Sequence, residues 1–155
     1  MPQSLTQLYV HLVFHAKHDL VPLPSELLHD LHAYLSGIFR NLESLPIQIG
    51  GTHNHVHVLF VLSKTISLAD VAKTVKANSS SWVKAQSNKL HIPMLEKFQW
   101  QGGYGAFSVS ESQLNVVKQY IVDQEEHHQT MTFQEEYLLL LKKHNVKYDE
   151  RYLWE

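Results

Sequence analysis

His53-Asn54-His55-Val56-His57-Val58-Leu59-Phe60-Val61 alternates strictly along its length. A β-strand sends successive side chains to opposite faces, so Val56, Val58 and Phe60 share one face and His53, His55 and His57 the other. The first face is apolar and suits a core. The second sets imidazoles side by side, which pack poorly against apolar neighbours but bind divalent metals well. Residues 53–61 therefore predict a strand with a core side and a chemical side.

Outward from that strand, the chain resolves into regular elements. Residues 8–14 read as a first strand, with Leu8, Val10, Leu12 and Phe14 apolar on one face and Tyr9, His11 and Val13 on the other. Pro22 and Pro24 interrupt the chain, and Ser25 is the expected N-cap of a helix whose Leu27, Leu28, Leu31, Leu35, Ile38 and Phe39 recur at helical spacing as far as Asn41. Residues 46–50 form a short second strand. Gly50-Gly51 is the expected tight link into the histidine strand, which makes this pair antiparallel. Ser67 caps a second long helix with Leu68, Val71, Val75 and Trp82 on its buried stripe. A loop over residues 91–98 contains Pro93. Residues 100–109 hold three glycines and then a fourth strand. Ser110 opens a third helix that carries Tyr120. Thr132 caps a fourth, with Phe133, Tyr137, Leu140 and Leu141 as apolar positions. The order is β-α-β-β-α-β with two additional C-terminal helices. That is the split βαβ, ferredoxin-like pattern of an α+β fold. Two long helices should cover one face of a four-stranded antiparallel sheet and leave the histidine face open, with His11 also on it.

Composition sets bounds on function. The 155 residues suit one domain spanning 1–155, with no internal repeat, low-complexity segment or dividing linker. Hydrophobic content of 44% and charged content of 18% are those of an ordinary globular protein. The absence of cysteine excludes disulfides and thiolate metal sites. No signal peptide is visible and no apolar run approaches the ~20 residues that span a bilayer, so no membrane role and a cytoplasmic location are expected. The formal charge of −2 argues mildly against a nucleic-acid partner unless a local basic stripe carries the contact, although twelve histidines can add positive charge.

Two features point to chemistry. His55 and His57 project the same way from one strand, close enough to share an ion. A solvated strand, or a cupin-like or zinc-hydrolase site, could carry the same His-x-His; the helical content speaks against a cupin, and no third histidine or carboxylate stands at a metalloenzyme spacing. Downstream, a helix over residues 112–128 puts Leu114, Val117 and Ile121 on its core face, with Tyr120 and Gln124 at the margin and four residues apart. Tyrosine is a poor nucleophile at neutral pH, with an ordinary pKa of about 10. A metal beside it can polarise a scissile phosphate and stabilise the developing charge. Gln124 offers a neutral carbonyl oxygen to complete the metal shell. The combination suggests metal-assisted attack by a tyrosine on a phosphodiester. Lys73, Lys76, Ser80 and Lys84 form a stripe on the second helix, interleaved with Ser79, Ser81 and Trp82. Alone it is a solvated helix face; beside the histidines it becomes a candidate DNA-tracking surface.

These residues resemble a known family. Asn54-His55-Val56-His57-Val58-Leu59 is similar to the HUH motif (histidine, hydrophobic residue, histidine) of the single-tyrosine transposases of the insertion-sequence 200/605 group. Tyr120-Ile121-x-x-Gln124-Glu125-Glu126-His127-His128 resembles that group's nucleophile helix. The stretches 103–110 and 148–154 resemble it as well, so the likeness covers essentially the whole chain in order. The resemblance implies a ferredoxin-like fold and an enzyme that cleaves and rejoins single-stranded DNA through a 5′-phosphotyrosine intermediate and a free 3′-hydroxyl. It implies that His55 and His57 bind a divalent ion, Mg2+ or Mn2+, with Gln124 as third ligand, and that Tyr120 is the nucleophile. It implies a homodimer that recognises DNA hairpins, with composite active sites that take the histidines from one subunit and the tyrosine from the other. Two other classes share parts of the pattern: a domesticated, repeat-associated nuclease that processes chromosomal hairpins, and a noncatalytic ferredoxin-like binding module.

His53-Asn54-His55 is also His-x-His, but Asn54 is not hydrophobic, which selects His55 and His57 as the pair. His53→Ala is accordingly expected to leave DNA cleavage nearly intact, whereas His57→Ala should abolish it. Equal losses in a cleavage assay would shift the register by one pair.

Overall fold

The computed structural model describes residues 2–17 and 21–155. Four strands, β1 (Tyr9–His15), β2 (Pro46–Thr52), β3 (His55–Val61) and β4 (Gly105–Val109), form one antiparallel sheet in the order β2-β3-β1-β4. Helix α1 (Ser25–Asn41) lies between β1 and β2, and α2 (Leu68–Lys89) between β3 and β4. This is the βαββαβ, ferredoxin-like arrangement expected from the sequence. After β4 come α3 (Leu114–Val122), α4 (Gln124–His127), α5 (Phe133–Lys143) and α6 (Glu150–Leu153), twice the number of helices expected there.

The main core lies where the alternation of β3 puts it. Val56, Val58 and Phe60 are buried with Leu12 and Phe14 of β1 against Leu31, Leu35 and Phe39 of α1 and Val71, Val75 and Val83 of α2. Each such side chain removed from water stabilises the fold by roughly 1.5–3 kcal/mol. Trp100 closes one end, packed edge-on against Phe14 and Phe98 and donating its indole N–H to Ser79 at 2.9 Å. The Ser67 and Thr132 caps form as expected, accepting from the backbone N–H groups of Asp70 and Glu135. Ser25 does not cap. It is the first residue of α1, behind Pro24, whose backbone (φ −64°) sets the helix entry and whose carbonyl accepts from Leu27.

Two local features depart from expectation. The β2–β3 hairpin turns at His53-Asn54, between the paired Thr52 and His55, so Gly50 and Gly51 lie inside β2. The turn is held by backbone bonds from Ala16 to the Asn54 carbonyl (2.7 Å) and from Leu23 to the His53 carbonyl (2.8 Å). His53 therefore leaves the histidine face and is exposed.

The histidine face is covered, not open. Val13 and Phe107 on that face are apolar and pack with Phe133, Tyr137, Leu140 and Leu141 of α5 in a second core. An amphipathic helix has to bury such a stripe, and the exposed side of the sheet is where it does so. Helix α3 lies over β2 and β3. Two glycines let these helices settle. A Cβ at Gly50 would collide with the backbone carbonyl of Ile121, and a Cβ at Gly105 would come within 2.6 Å of the Tyr137 ring.

Gly50→Ala is therefore expected to lift α3 from the sheet and to destabilise the fold by about 1–3 kcal/mol, as overpacking does. A thermal melt measures this; an unchanged midpoint would mean that α3 does not rest on β2 at this point.

A buried histidine, glutamine, glutamate and tyrosine cluster

His55 and His57 stand on adjacent same-side positions of β3, and both are completely buried. Their outer nitrogens are occupied. His55 Nδ1 lies 2.8 Å from Asn54 Oδ1 and 3.0 Å from Thr52 Oγ1. His57 Nδ1 lies 2.8 Å from Nε2 of His11, which reaches across from β1. Their inner nitrogens converge on oxygens: His55 Nε2 is 2.7 Å from Gln124 Oε1, and His57 Nε2 is 3.0 Å from Glu136 Oε1. A neutral imidazole has one N–H and one lone pair. When Nδ1–H of His55 donates to Asn54, Nε2 presents its lone pair to the carbonyl oxygen of Gln124. Two lone pairs facing each other are what a shared cation relieves, and metal-binding histidines usually donate their outer N–H in this way. His55, His57 and Glu136 offer ligand atoms that all lie within 4.8 Å of one another. Two imidazoles, a carboxylate and an amide oxygen form a donor set that fits a divalent ion.

Glu136, on α5, is the hub of the cluster and only 1% exposed. Its Oε1 accepts from His128 Nε2 at 3.1 Å and faces His57. Its Oε2 accepts from Gln124 Nε2 at 2.9 Å and from the Tyr120 hydroxyl in a short bond. The Tyr120 ring lies edge-on to His57 and His11, with centroids 5.8 and 6.1 Å away. The tyrosine helix thus folds back over its own sheet, and one chain brings both histidines, Gln124 and Tyr120 together. The expected continuous helix is divided at Asp123 into α3, with Tyr120, and α4, with Gln124. No glycine or proline marks that break, so helical periodicity runs straight through it.

Glu136 escapes a reading of the sequence because it stands at no metalloenzyme spacing from the histidines, 79 residues from His57. A signal did exist. Glu136 falls three residues after Phe133 and four before Leu140, inside the apolar stripe of α5, where an unpaired acid would be costly. Tyr104, between Gly103 and Gly105, is exposed. The α2 stripe is not part of the cluster, since α2 packs on the opposite face of the sheet. Lys76 Nζ donates to the backbone carbonyls of Gln101 (2.7 Å) and Gly103 (2.6 Å). Lys73 is exposed, and Ser80 and Lys84 are half-buried.

Burial shapes the protonation of the cluster. It pushes His11 and His55 well below the ordinary imidazole value, reinforced in each by the charge of His57, which keeps them neutral. Burial also raises the Tyr120 phenol far above its usual range, and the bond to Glu136 adds to this. For Glu136, burial alone acts upward, but the hydrogen bonds from His128 and His57 outweigh it and hold the carboxyl well below the usual range. His128 goes the other way: burial lowers it, and Glu136 raises it by more.

Paired histidines on a ferredoxin-like sheet, beneath a tyrosine helix, define the class of fold and site. The chain belongs to the family described as "Transposase IS200 like", which matches residues 4–124. Among solved structures it is similar to a candidate transposase from Deinococcus radiodurans R1, with TM-score 0.62 and 22% identity over 80% of this chain and 95% of the other. It is also similar to a REP-associated tyrosine transposase bound to a REP hairpin, with TM-score 0.57 and 9% identity over 83% of this chain and 73% of the other. No curated protein matches the chain. Among the described residues, no helix is long and apolar enough to cross a membrane.

The protonation pattern sets the pH dependence of stability. His11 and His55 have folded values below their unfolded value of ~6.5, so the unfolded chain binds more protons in acid and their contribution is lost as pH falls below ~6.5. Glu136, with a lowered folded value, acts in the same direction from the carboxylate range downward. His128, raised, acts oppositely and loses its contribution as pH rises through its folded value. The melting temperature is thus expected to fall between pH 7 and pH 5, as followed by circular dichroism. A rise over that interval would mean that the buried histidines are charged in the folded state.

Proposed function

We propose that this transposase-family chain cleaves and rejoins single-stranded DNA, with Tyr120 as nucleophile and His55, His57, Gln124 and Glu136 as the seat of a divalent ion, Mg2+ or Mn2+. The observation that carries the reading is the hydrogen bond from the Tyr120 hydroxyl to Glu136, whose other carboxylate oxygen faces His57. It puts a nucleophilic oxygen and a candidate metal pair in one buried network. The ion, when bound, supplies positive charge that polarises the scissile phosphate and stabilises the charge that develops in attack.

The chain's own residues do the rest. Gln124 and Glu136 orient the Tyr120 hydroxyl. In the reaction a bond forms from the tyrosine oxygen to phosphorus and the bond from phosphorus to the 3′-oxygen breaks, leaving a 5′-phosphotyrosine. The phenol proton passes to the Glu136 carboxylate, and the departing 3′-oxygen takes a proton from water to become a free hydroxyl. Attack by a 3′-hydroxyl on the phosphotyrosine reverses these steps and rejoins the strand. Burial and the carboxylate hold the proton on Tyr120 at rest, so the nucleophile is withheld until charge and substrate arrive.

Hairpin recognition is part of the proposal, prompted by the hairpin in the REP-associated neighbour, and that neighbour equally suggests the repeat-processing variant of the same chemistry. We also propose a homodimer with one domain per chain. Within it, the intramolecular approach of Tyr120 to His57 supports a tyrosine used in cis, the reverse of the two-subunit site implied by the family resemblance.

Tyr120→Phe is expected to abolish cleavage and the covalent protein–DNA adduct on a labelled hairpin strand while leaving binding within about twofold. An adduct formed by the variant would assign the nucleophile elsewhere. Chelation should silence the wild type, and Mn2+ should raise its melting temperature but not that of His55→Ala; full cleavage in chelator would remove the metal from the mechanism. Mixed Tyr120→Phe and His57→Ala chains should stay inactive if the tyrosine acts in cis, and recovered cleavage in mixed dimers would place it in trans.

A further inference from the structure

A cavity of about 340 Å³ opens beside the cluster, between the end of β4, the first turns of α3 and the last turn of α5. Tyr120 and His11 line it, so it reaches the proposed nucleophile, and Gln124 takes no part in its lining. Its walls are apolar where α3 and α5 face each other, at Val116, Val117 and Leu140. Val116, 59% exposed, offers apolar surface on that wall. The rim is polar and cationic. Among the described residues, Lys143, exposed at the mouth, forms no ion pair and no carboxylate lines the cavity. His144 stacks on Phe107 there, with ring centroids 4.5 Å apart and planes 20° apart. Gln113 brings a side-chain amide to the same rim.

We propose that this cavity seats one unpaired nucleotide of the DNA strand next to the scissile phosphate, with its base between Val116, Val117 and Leu140 and its phosphate on Lys143. This rests on the function proposed above and adds to it the contact that aligns the strand on Tyr120. The volume lies at the low end of small-ligand pockets, ~300–1,000 Å³, enough for a single nucleotide and too small for duplex. An apolar slot with a cation and no acid at its mouth matches a flat base carrying an anionic phosphate. The overall charge of −2 ceases to be an obstacle, because the needed cation is local. The basic stripe on α2 lies on the other face of the sheet and cannot perform this task.

The test is binding, read apart from cleavage, with the full chain in chelator and a fluorescein-labelled single strand of twelve thymidines. Lys143→Glu removes the phosphate contact at an exposed position, so it should fold normally. It is expected to weaken binding about tenfold and to reduce the slope of log affinity against log salt by about 0.7, the value for one phosphate on a single strand. Val117→Trp should fill the cavity and weaken binding similarly, with circular dichroism checking its fold. Lys84→Glu on α2 should change affinity less than twofold. Free thymidine monophosphate in competition separates a mononucleotide site from a strand site, since only the strand is expected to bind at micromolar concentration. If Lys84→Glu weakens binding and Lys143→Glu does not, the cavity assignment is overturned while single-strand cleavage stands. If the wild type binds no single strand and cleaves none, the proposed function fails first, and this assignment with it.

Discussion

A carboxylate taken out of water has to be paired, and the second layer of this molecule is organised around one that is. Glu136 is buried between the sheet and the C-terminal helices and meets His57, His128, Gln124 and Tyr120 at once. Removing one partner of a buried pair typically costs ~3–5 kcal/mol, because the remaining charge is stranded. This interaction therefore ties α5 to β3 and to the α3–α4 segment more specifically than the apolar contacts beside it. It also makes stability and site geometry one problem: whatever disturbs the cluster loosens the layer that encloses it.

That layer can close only because the sheet beneath it is low in two places. Gly50 and Gly105 sit under α3 and α5, where any larger residue would meet Ile121 or Tyr137. With the helices seated, the histidines of β3 are dry and their inner nitrogens share a small space with two side-chain oxygens. The outer nitrogens are satisfied by Asn54, Thr52 and His11, so the rings are oriented before anything binds. Such preorganisation lets a site meet developing charge without rearranging. The family match ends at Gln124 and takes in the histidines, Tyr120 and Gln124, while Glu136 lies beyond it. Helix α5 is thus both roof and contributor to the cluster.

The same enclosure gives the site a direction. The Tyr120 hydroxyl is bound to Glu136, and the same tyrosine lines the cavity that has Lys143 at its rim. The two faces of the sheet divide the work accordingly. The α1–α2 face is an apolar core with a solvated exterior, and Lys76, the most conspicuous cation of its stripe, is spent on holding the Gln101 and Gly103 carbonyls.

Much was legible in the sequence, and the reason is periodicity. Alternation in β3 separated Val56, Val58 and Phe60 from His55 and His57, and the spacing in α1, α2 and α5 named most of the core, because strands and helices repeat regularly whatever surrounds them. Tyr120 and Gln124, read as four apart on one helix, reach the cluster from α3 and α4 on either side of the break at Asp123. The hairpin turn was misplaced at Gly50-Gly51 because glycine signals a tight turn and a close approach alike, and only the packed helix tells which is needed. Tertiary structure alone decided that the histidine face is covered, that Tyr120 returns to its own chain's histidines, and that Glu136 completes the cluster from 79 residues away. Local patterns reach about one turn or one strand pair along the chain. The pairing of a buried charge is settled by which distant segments the fold brings within about 3 Å of it.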